Sequence, residues 1–376
     1  MIIKTITCHD VYNYGASLQA YALQHFLSNK GNDVEIIDYL PKYMDKAYRF
    51  IWKDYAIPAM SKYYKYHNNL LIQLVYHLKG FFKQAIIMIT THDRKKSFDN
   101  FTRNKLVVTS KHYKTLDELQ NADIKADCFI AGSDQIWNPK FGNGFDGAYF
   151  LNFGKGKKYS YAGSFGVSTL NDQEKLFMAP LLQNIDGVSV REKTAIRLSA
   201  ELGVKDAIQV CDPVYLLSKD EWNDLASSKY NFNDYILVYN LSPFNKEIAR
   251  CAQYLAKSTN KKIVAIEERT PVKYADIRVK NAGPQEFVEL ISKASYVVTN
   301  SFHATSFSLI YNVPFFTFNK NANSSRVADV LADVGASDRL NSDSFDKNIN
   351  WEEVNSRLSG IIKNSIKYLS GIYGFN

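Results

Sequence analysis

Apolar residues in this chain fall into short continuous runs, separated by polar turns and by segments with helical spacing. Ile2–Cys8 is the first run. It passes through the loop His9–Tyr14 into a helix-spaced segment, Gly15–Asn29, and then into Val34–Tyr39. That order predicts a β-α-β unit with a right-handed crossover. Further strands are expected at Asp127–Ala131, Lys158–Ala162, Gly187–Val190 and Ala207–Cys211, with helices at Asp172–Asn184 and Lys193–Leu202. A second series then begins, with strands at Tyr235–Asn240, Lys262–Glu267 and Phe315–Phe318 and helices at Lys246–Ser258, Pro284–Lys293, Ser325–Val334 and Trp351–Leu369. Continuous rather than alternating apolar runs are the mark of parallel strands covered on both faces. The pattern therefore predicts an α/β protein with two Rossmann-like domains facing across a cleft. The first is expected over residues 1–218, with a helical insertion at 41–126. The second is expected over 219–350, and a terminal helix over 351–376 packs back on the first.

The stretch Tyr296–Phe318, YVVTNSFHATSFSLIYNVPFFTF, is the most pointed part of the pattern. It reads as a buried strand, a tight turn at Asn300–His303, a helix capped by Ser301, and a second buried strand. Such a turn offers unpaired N–H groups of Phe302, His303 and Ala304 beside an imidazole, which suits an anion. Equally, His303 could only cap or pack the turn. Other polar residues at expected strand carboxyl ends are His9, Asp10, Asn13, Ser133, Asp134, Gln135, Ser164, Arg191, Asp212, Asn240 and Glu267. Two facing domains would converge them on one cleft. Arg191 directly follows the apolar run GVSV, where a fixed guanidinium can grip a phosphate or carboxylate, or pair structurally with Glu192 or Asp212. Arg326 near a helix start is a weaker candidate of the same kind. Asn13-Tyr14-Gly15 permits close approach of a ligand to the backbone. Phosphate-loop and dinucleotide fingerprints are absent, as are metal-ligand clusters and the serine-hydrolase elbow. No metal or cofactor is expected.

Composition sharpens this in one place. The length, 376 residues, suits two domains, and 46% hydrophobic with 22% charged residues describes packed cores. Cys8, Cys128, Cys211 and Cys251 are widely spaced and read as buried small hydrophobes in a reducing cytosol. The net charge of +8 is concentrated between Pro41 and Ser110, where 13 Lys and Arg face 4 Asp among many aromatics. Basic residues flanking aromatic helices suit an anionic membrane surface, for instance the inner face of the cell membrane. A helical insertion packed on its own domain is the competing account. On the membrane reading, neutralising Lys79, Lys83, Arg94, Lys95 and Lys96 would weaken attachment. No nucleic-acid motif accompanies the patch, so nucleic acid is not expected as a partner.

In order along the chain stand HDVYNYGASLQAYAL (9–23), AGSDQIWNP (131–139), YSYAGSFG (159–166), SVREKTA (189–195), CDPVYLL (211–217), TNSFHATSFSLIYNVPF (299–315) and SSRVADVL (324–331). The set closely resembles the polysaccharide pyruvyl transferase family. The resemblance implies a GT-B-like architecture, with the second domain binding the donor. It also implies transfer of pyruvate from phosphoenolpyruvate to two hydroxyls of one sugar, giving a cyclic ketal in surface polysaccharide, with an acceptor that is free or lipid-linked. On that chemistry His303 is the general acid that protonates the enol carbon. Arg191, Arg326 and the helix start at Ser301 hold the donor, and Asp134, His9 or Asp10 is the base. Well-studied members carry Arg-Leu-His where this chain has Ser301-Phe302-His303, so one donor-binding arginine is replaced by serine. Two other functions fit the same fold: a glycosyltransferase using a nucleotide sugar, and a non-catalytic membrane-associated scaffold.

Overall fold

The computed structural model describes residues 1–44, 89, 92–241, 245–268, 271–319, 325–346 and 348–374. The chain forms two parallel sheets, each built from the expected alternation of strand and helix. In the first, β1 (Ile2–Ile6) lies between β2 (Asp33–Ile36) and β3 (Cys128–Ala131), and β4 (Lys157–Ser160) follows β3. Parallel bridges at Tyr159–Gly187 and Gly163–Val190 continue it into β5 (Ser189–Val190) and β6 (Ile208–Gln209). The second sheet has β7 (Ile236–Tyr239), β8 (Ile263–Ile266), β9 (Ile277–Val279), β10 (Tyr296–Thr299) and β11 (Phe315–Thr317), in the order β11-β10-β7-β8-β9.

Strand order reverses between β1 and β3 in one sheet and between β7 and β10 in the other. Open α/β sheets bind ligands outside the strand carboxyl ends at such points. The segments leaving them are the loop after Ile6, the turn Ser133–Gln135, and the turn Asn300–His303. The α/β class with two Rossmann-like units is therefore what the chain adopts.

Three departures have local causes. β9 was not expected, because three residues between Asp276 and Lys280 are too short to register as an apolar run. The insertion is not helical throughout. Residues 92–105 form a helix, but the β-branched run beyond it extends the first sheet through bridges Ile36–Val108 and Tyr39–Tyr113. Most of the basic aromatic segment, including Lys79 and Lys83, lies outside the described residues. Arg94 is the third correction. It is buried, not membrane-facing, with its guanidinium 3.1 Å from Glu268 of the second domain and 5.1 Å over the Tyr14 ring. Cys128, Cys211 and Cys251 are buried, whereas Cys8 is half-buried. Among the described residues no helix is long and apolar enough to cross a membrane.

One hydrophobic cluster runs through both sheets, from Ile3 and Leu18 to Leu237, Val297 and Phe307. Tyr14, at the start of the helix Tyr14–Asn29, crosses the boundary. Its ring stacks on Phe287 at 4.5 Å, and its hydroxyl donates to Ala282 O at 3.0 Å. The last helix, Trp351–Tyr373, returns to the first sheet. Ser365 Oγ accepts the Cys211 N–H at 2.8 Å, and the Tyr368 hydroxyl donates to Gly187 O at 2.9 Å.

Candidate functional site

The helix Phe302–Tyr311 begins where β10 ends, and its second residue is His303. Ser301 caps it by accepting the Ala304 N–H at 3.3 Å. That N–H is consumed by the cap, so the helix start offers a ligand less than the sequence promised. The imidazole instead leans across the cleft onto the first domain. A Cβ placed on Gly15 would fall 1.8 Å from His303 Nδ1, so only glycine admits the ring at that point of the opposite helix. Asn13 caps the same opposite helix through the Ala16 N–H at 3.1 Å, which fixes where Gly15 stands.

Asp212 completes the contact. Its Oδ2 is 3.5 Å from His303 Nε2 and accepts from Arg191 Nη1 at 2.6 Å and from Ser133 Oγ at 3.1 Å. Its Oδ1 accepts the Val214 N–H at 3.1 Å and so caps the turn Pro213–Leu216. Burial opposes the charged form, yet His303 and Arg191 beside it hold the Asp212 carboxyl well below the usual carboxylate range. Asp212 stood in the sequence among the strand-end polar residues and as a possible partner for Arg191.

Arg191 is buried and enclosed. Besides Asp212, Glu192 Oε2 lies 3.5 Å from its Nε and Asp134 Oδ1 lies 3.8 Å from its Nη2. The Phe302 ring covers the guanidinium at 4.5 Å, and Ser164 Oγ donates to Glu192. Burial disfavours its charge, but Asp212, Glu192 and Asp134 more than compensate and raise it above the ordinary arginine range. Asp134 holds its place in a left-handed backbone conformation, φ 73°, with its carbonyl accepting the Ser164 N–H at 3.1 Å. A non-glycine residue in that region is uncommon, and aspartate is among those that tolerate it.

Arg326 comes from the helix Ser325–Val334 of the second domain and reaches the first. With the Gln135 amide oriented to satisfy its neighbours, Gln135 oxygen accepts from Arg326 Nη1 and Nη2 at 3.0 and 3.2 Å. Among the described residues no carboxylate lies within ion-pair distance of Arg326. Burial, and then the charge of Arg191, push it below the ordinary arginine range. Arg191, Glu192, Asp212, Tyr215, Phe302 and Arg326 line a cleft holding about 390 Å³ of empty space, part of it open to solvent. Arg191 Nε and Nη2, Glu192 Oε2 and Tyr215 Oη are buried on this cleft, and His303 Nε2 beside it, without a hydrogen bond; all but Tyr215 Oη stand 3.5 to 3.8 Å from an oppositely charged group. Buried polar atoms are rarely left without a hydrogen bond, and a group of them at one cleft points to a polar ligand.

Two expected residues lie elsewhere. His9 is buried with Nδ1 3.3 Å from Thr7 O and Nε2 3.5 Å from Asp38, which also contacts His112 Nδ1 at 3.1 Å. Burial works against the Asp38 charge, but bonds from His9 and His112 hold its carboxyl below the usual range. Asp10 belongs to the same cluster, its carboxyl raised by burial. Neither touches the Arg191 group. Among the described residues no set of three or more His, Cys, Asp or Glu is arranged to hold a metal.

The family model described as polysaccharide pyruvyl transferase matches residues 13–320. No curated protein matches the chain. Similar solved structures include the UDP-GlcNAc 2-epimerase of Methanocaldococcus jannaschii in complex with UDP-GlcNAc and UDP, at 13% identity and TM-score 0.46, over 96% of this chain and 93% of that one. The S. aureus MnaA-UDP co-structure is 13% identical with TM-score 0.46, over 96% and 88%. The E. coli heptosyltransferase WaaC with ADP-2-deoxy-2-fluoro heptose is 10% identical with TM-score 0.38, over 85% and 88%.

Proposed function

The chain belongs to the polysaccharide pyruvyl transferase family, and from that premise we propose that it transfers pyruvate from phosphoenolpyruvate to two hydroxyls of one sugar. The product is a cyclic ketal on a surface polysaccharide or its precursor. The observation that carries the reading is the meeting of His303 and Asp212 across the cleft, with Arg191 and Arg326 beside them. Phosphoenolpyruvate brings a phosphate and a carboxylate, and two guanidinium groups match two anions. Arg326, with no carboxylate at ion-pair distance among the described residues, takes the part left vacant where Ser301 replaces the family's arginine. Arg191 offers Nη2, which like its Nε has no hydrogen bond.

His303 protonates the methylene carbon as a hydroxyl oxygen bonds to the central carbon. Asp212 stabilises the imidazolium before the proton leaves. Departure of phosphate breaks the carbon–oxygen bond, and the second hydroxyl closes the ketal ring as its proton passes to phosphate. The proton of the first hydroxyl passes to a base of the site and returns to His303, so atoms and charge balance without an oxidant.

The test is phosphate release from phosphoenolpyruvate, together with thermal shift against phosphoenolpyruvate, UDP-sugars and GDP-sugars. A ligand at 100 times its dissociation constant adds about 2.7 kcal/mol. Stabilisation by the nucleotide sugars alone would replace this reading with a glycosyltransferase. His303→Ala is expected to abolish phosphate release while leaving the circular dichroism spectrum of the folded protein unchanged.

A further inference from the structure

We infer that Glu192 is the base that takes the proton of the attacking sugar hydroxyl, an assignment that rests on the transferase reading above. Glu192 occupies the N-cap of the helix Lys193–Glu201, yet its side chain makes no capping bond. It is only 4% exposed. Ser164 fixes one carboxylate oxygen, and the other, Oε2, is buried on the cleft with no hydrogen-bond partner. A buried charged oxygen without a hydrogen bond is costly, and a hydroxyl arriving there would satisfy it.

Placement separates acid from base. Asp212, which holds His303, meets the Nη1 corner of Arg191, whereas Glu192 faces its Nε corner at 3.5 Å. The third corner, Nη2, like Nε has no hydrogen bond and stands 3.8 Å from Asp134, and Phe302 closes one face of the plane. A donor resting against Nη2 and the open face therefore has the imidazole on one side and Glu192 on the other. Asp134 is less suited: its carboxylate is more exposed, at 16%, and 3.8 Å from Arg191. His9 and Asp10 belong to the separate Asp38 cluster.

In the step so assigned, the hydroxyl oxygen bonds to the central donor carbon while its proton passes to Glu192 Oε2. The carbon–carbon π pair takes the proton from His303. After phosphate has left, the proton on Glu192 returns through water to His303, so the cycle consumes none.

The experiment compares wild type, Glu192→Gln and Glu192→Ala in phosphate release from phosphoenolpyruvate, with methyl hexopyranosides or water as acceptor. Calorimetry of phosphoenolpyruvate binding accompanies it. Glu192→Gln, which keeps the shape and can still accept from Ser164, should lower kcat about 100-fold or more. Phosphoenolpyruvate affinity should stay the same or tighten, because a negative charge leaves the cleft. Added formate should restore part of the Glu192→Ala rate, a response that a purely structural role would not give. Wild-type rates in Glu192→Gln overturn the assignment, as does a loss that tracks weakened donor binding and ignores formate. A wild type that releases no phosphate overturns the transferase reading itself.

Discussion

A guanidinium enclosed by Asp134, Glu192 and Asp212 differs in kind from one that merely faces a cleft. Three carboxylates meet Arg191, and Arg326 adds only one further charge, so the site has no positive charge to spare before His303 is counted. At this scale the sequence placed His303, Arg191, Asp134 and Gln135 near one another from their positions at strand ends. It offered Glu192 or Asp212 as a structural partner for Arg191, with a ligand as the alternative, but did not disclose that both carboxylates meet it at once. Both are drawn into the site by tertiary contacts that no local pattern encodes. The Asp212 carboxyl sits below its ordinary value in the folded protein, so its contribution to stability has a defined sign. That contribution is complete above the unfolded value of about 3.9 and is lost as pH falls through the depressed folded value. Urea denaturation of Asp212→Asn between pH 7 and pH 3 should accordingly show a shallower acid-side loss than wild type. An identical slope would mean that Arg191 and His303 do not hold this carboxylate charged.

Helix starts and strand ends are where this chain was most legible, because buried parallel strands leave continuous apolar runs that stop at polar turns. The turn after β10 appeared in its place with Ser301 as its cap. What the turn does with its N–H groups did not, since the cap consumes one and the imidazole points across the cleft. The helix Tyr14–Asn29 illustrates the limit. Gly15 was read as permitting ligand approach, whereas the group that approaches it is His303. Gly15→Ala is expected to displace the imidazole and reduce turnover about 100-fold or more. Intrinsic helix propensity favours alanine, so the loss should not come from the helix. Turnover and melting temperature measured together separate the two effects, and wild-type turnover in the variant would remove His303 from the site as drawn.

The whole molecule is joined by its core. Facing domains across a cleft suggest a hinge, yet one apolar cluster passes through both, with Tyr14 inserted among Tyr239 and Phe287. Arg94 adds an ion pair between residues 174 positions apart, which is why a basic residue in a basic run gave no sign of being buried. A large apolar interface argues against independent domain motion. Calorimetry should therefore give one unfolding transition with equal calorimetric and van't Hoff enthalpies. Two resolved transitions would show that the sheets unfold separately and that the shared core couples them weakly.

The bond from the Cys211 N–H to Ser365 ties the backbone beside Asp212 to a helix from the far end of the chain. A nonsense allele that stops translation near residue 350 would spare Arg191, Glu192, Asp212, His303 and Arg326, yet it would strip Leu358 and Ile361 from the cleft wall and slacken the strap under its central carboxylate. Geneticists would score such an allele as a catalytic null, although its lesion is one of support.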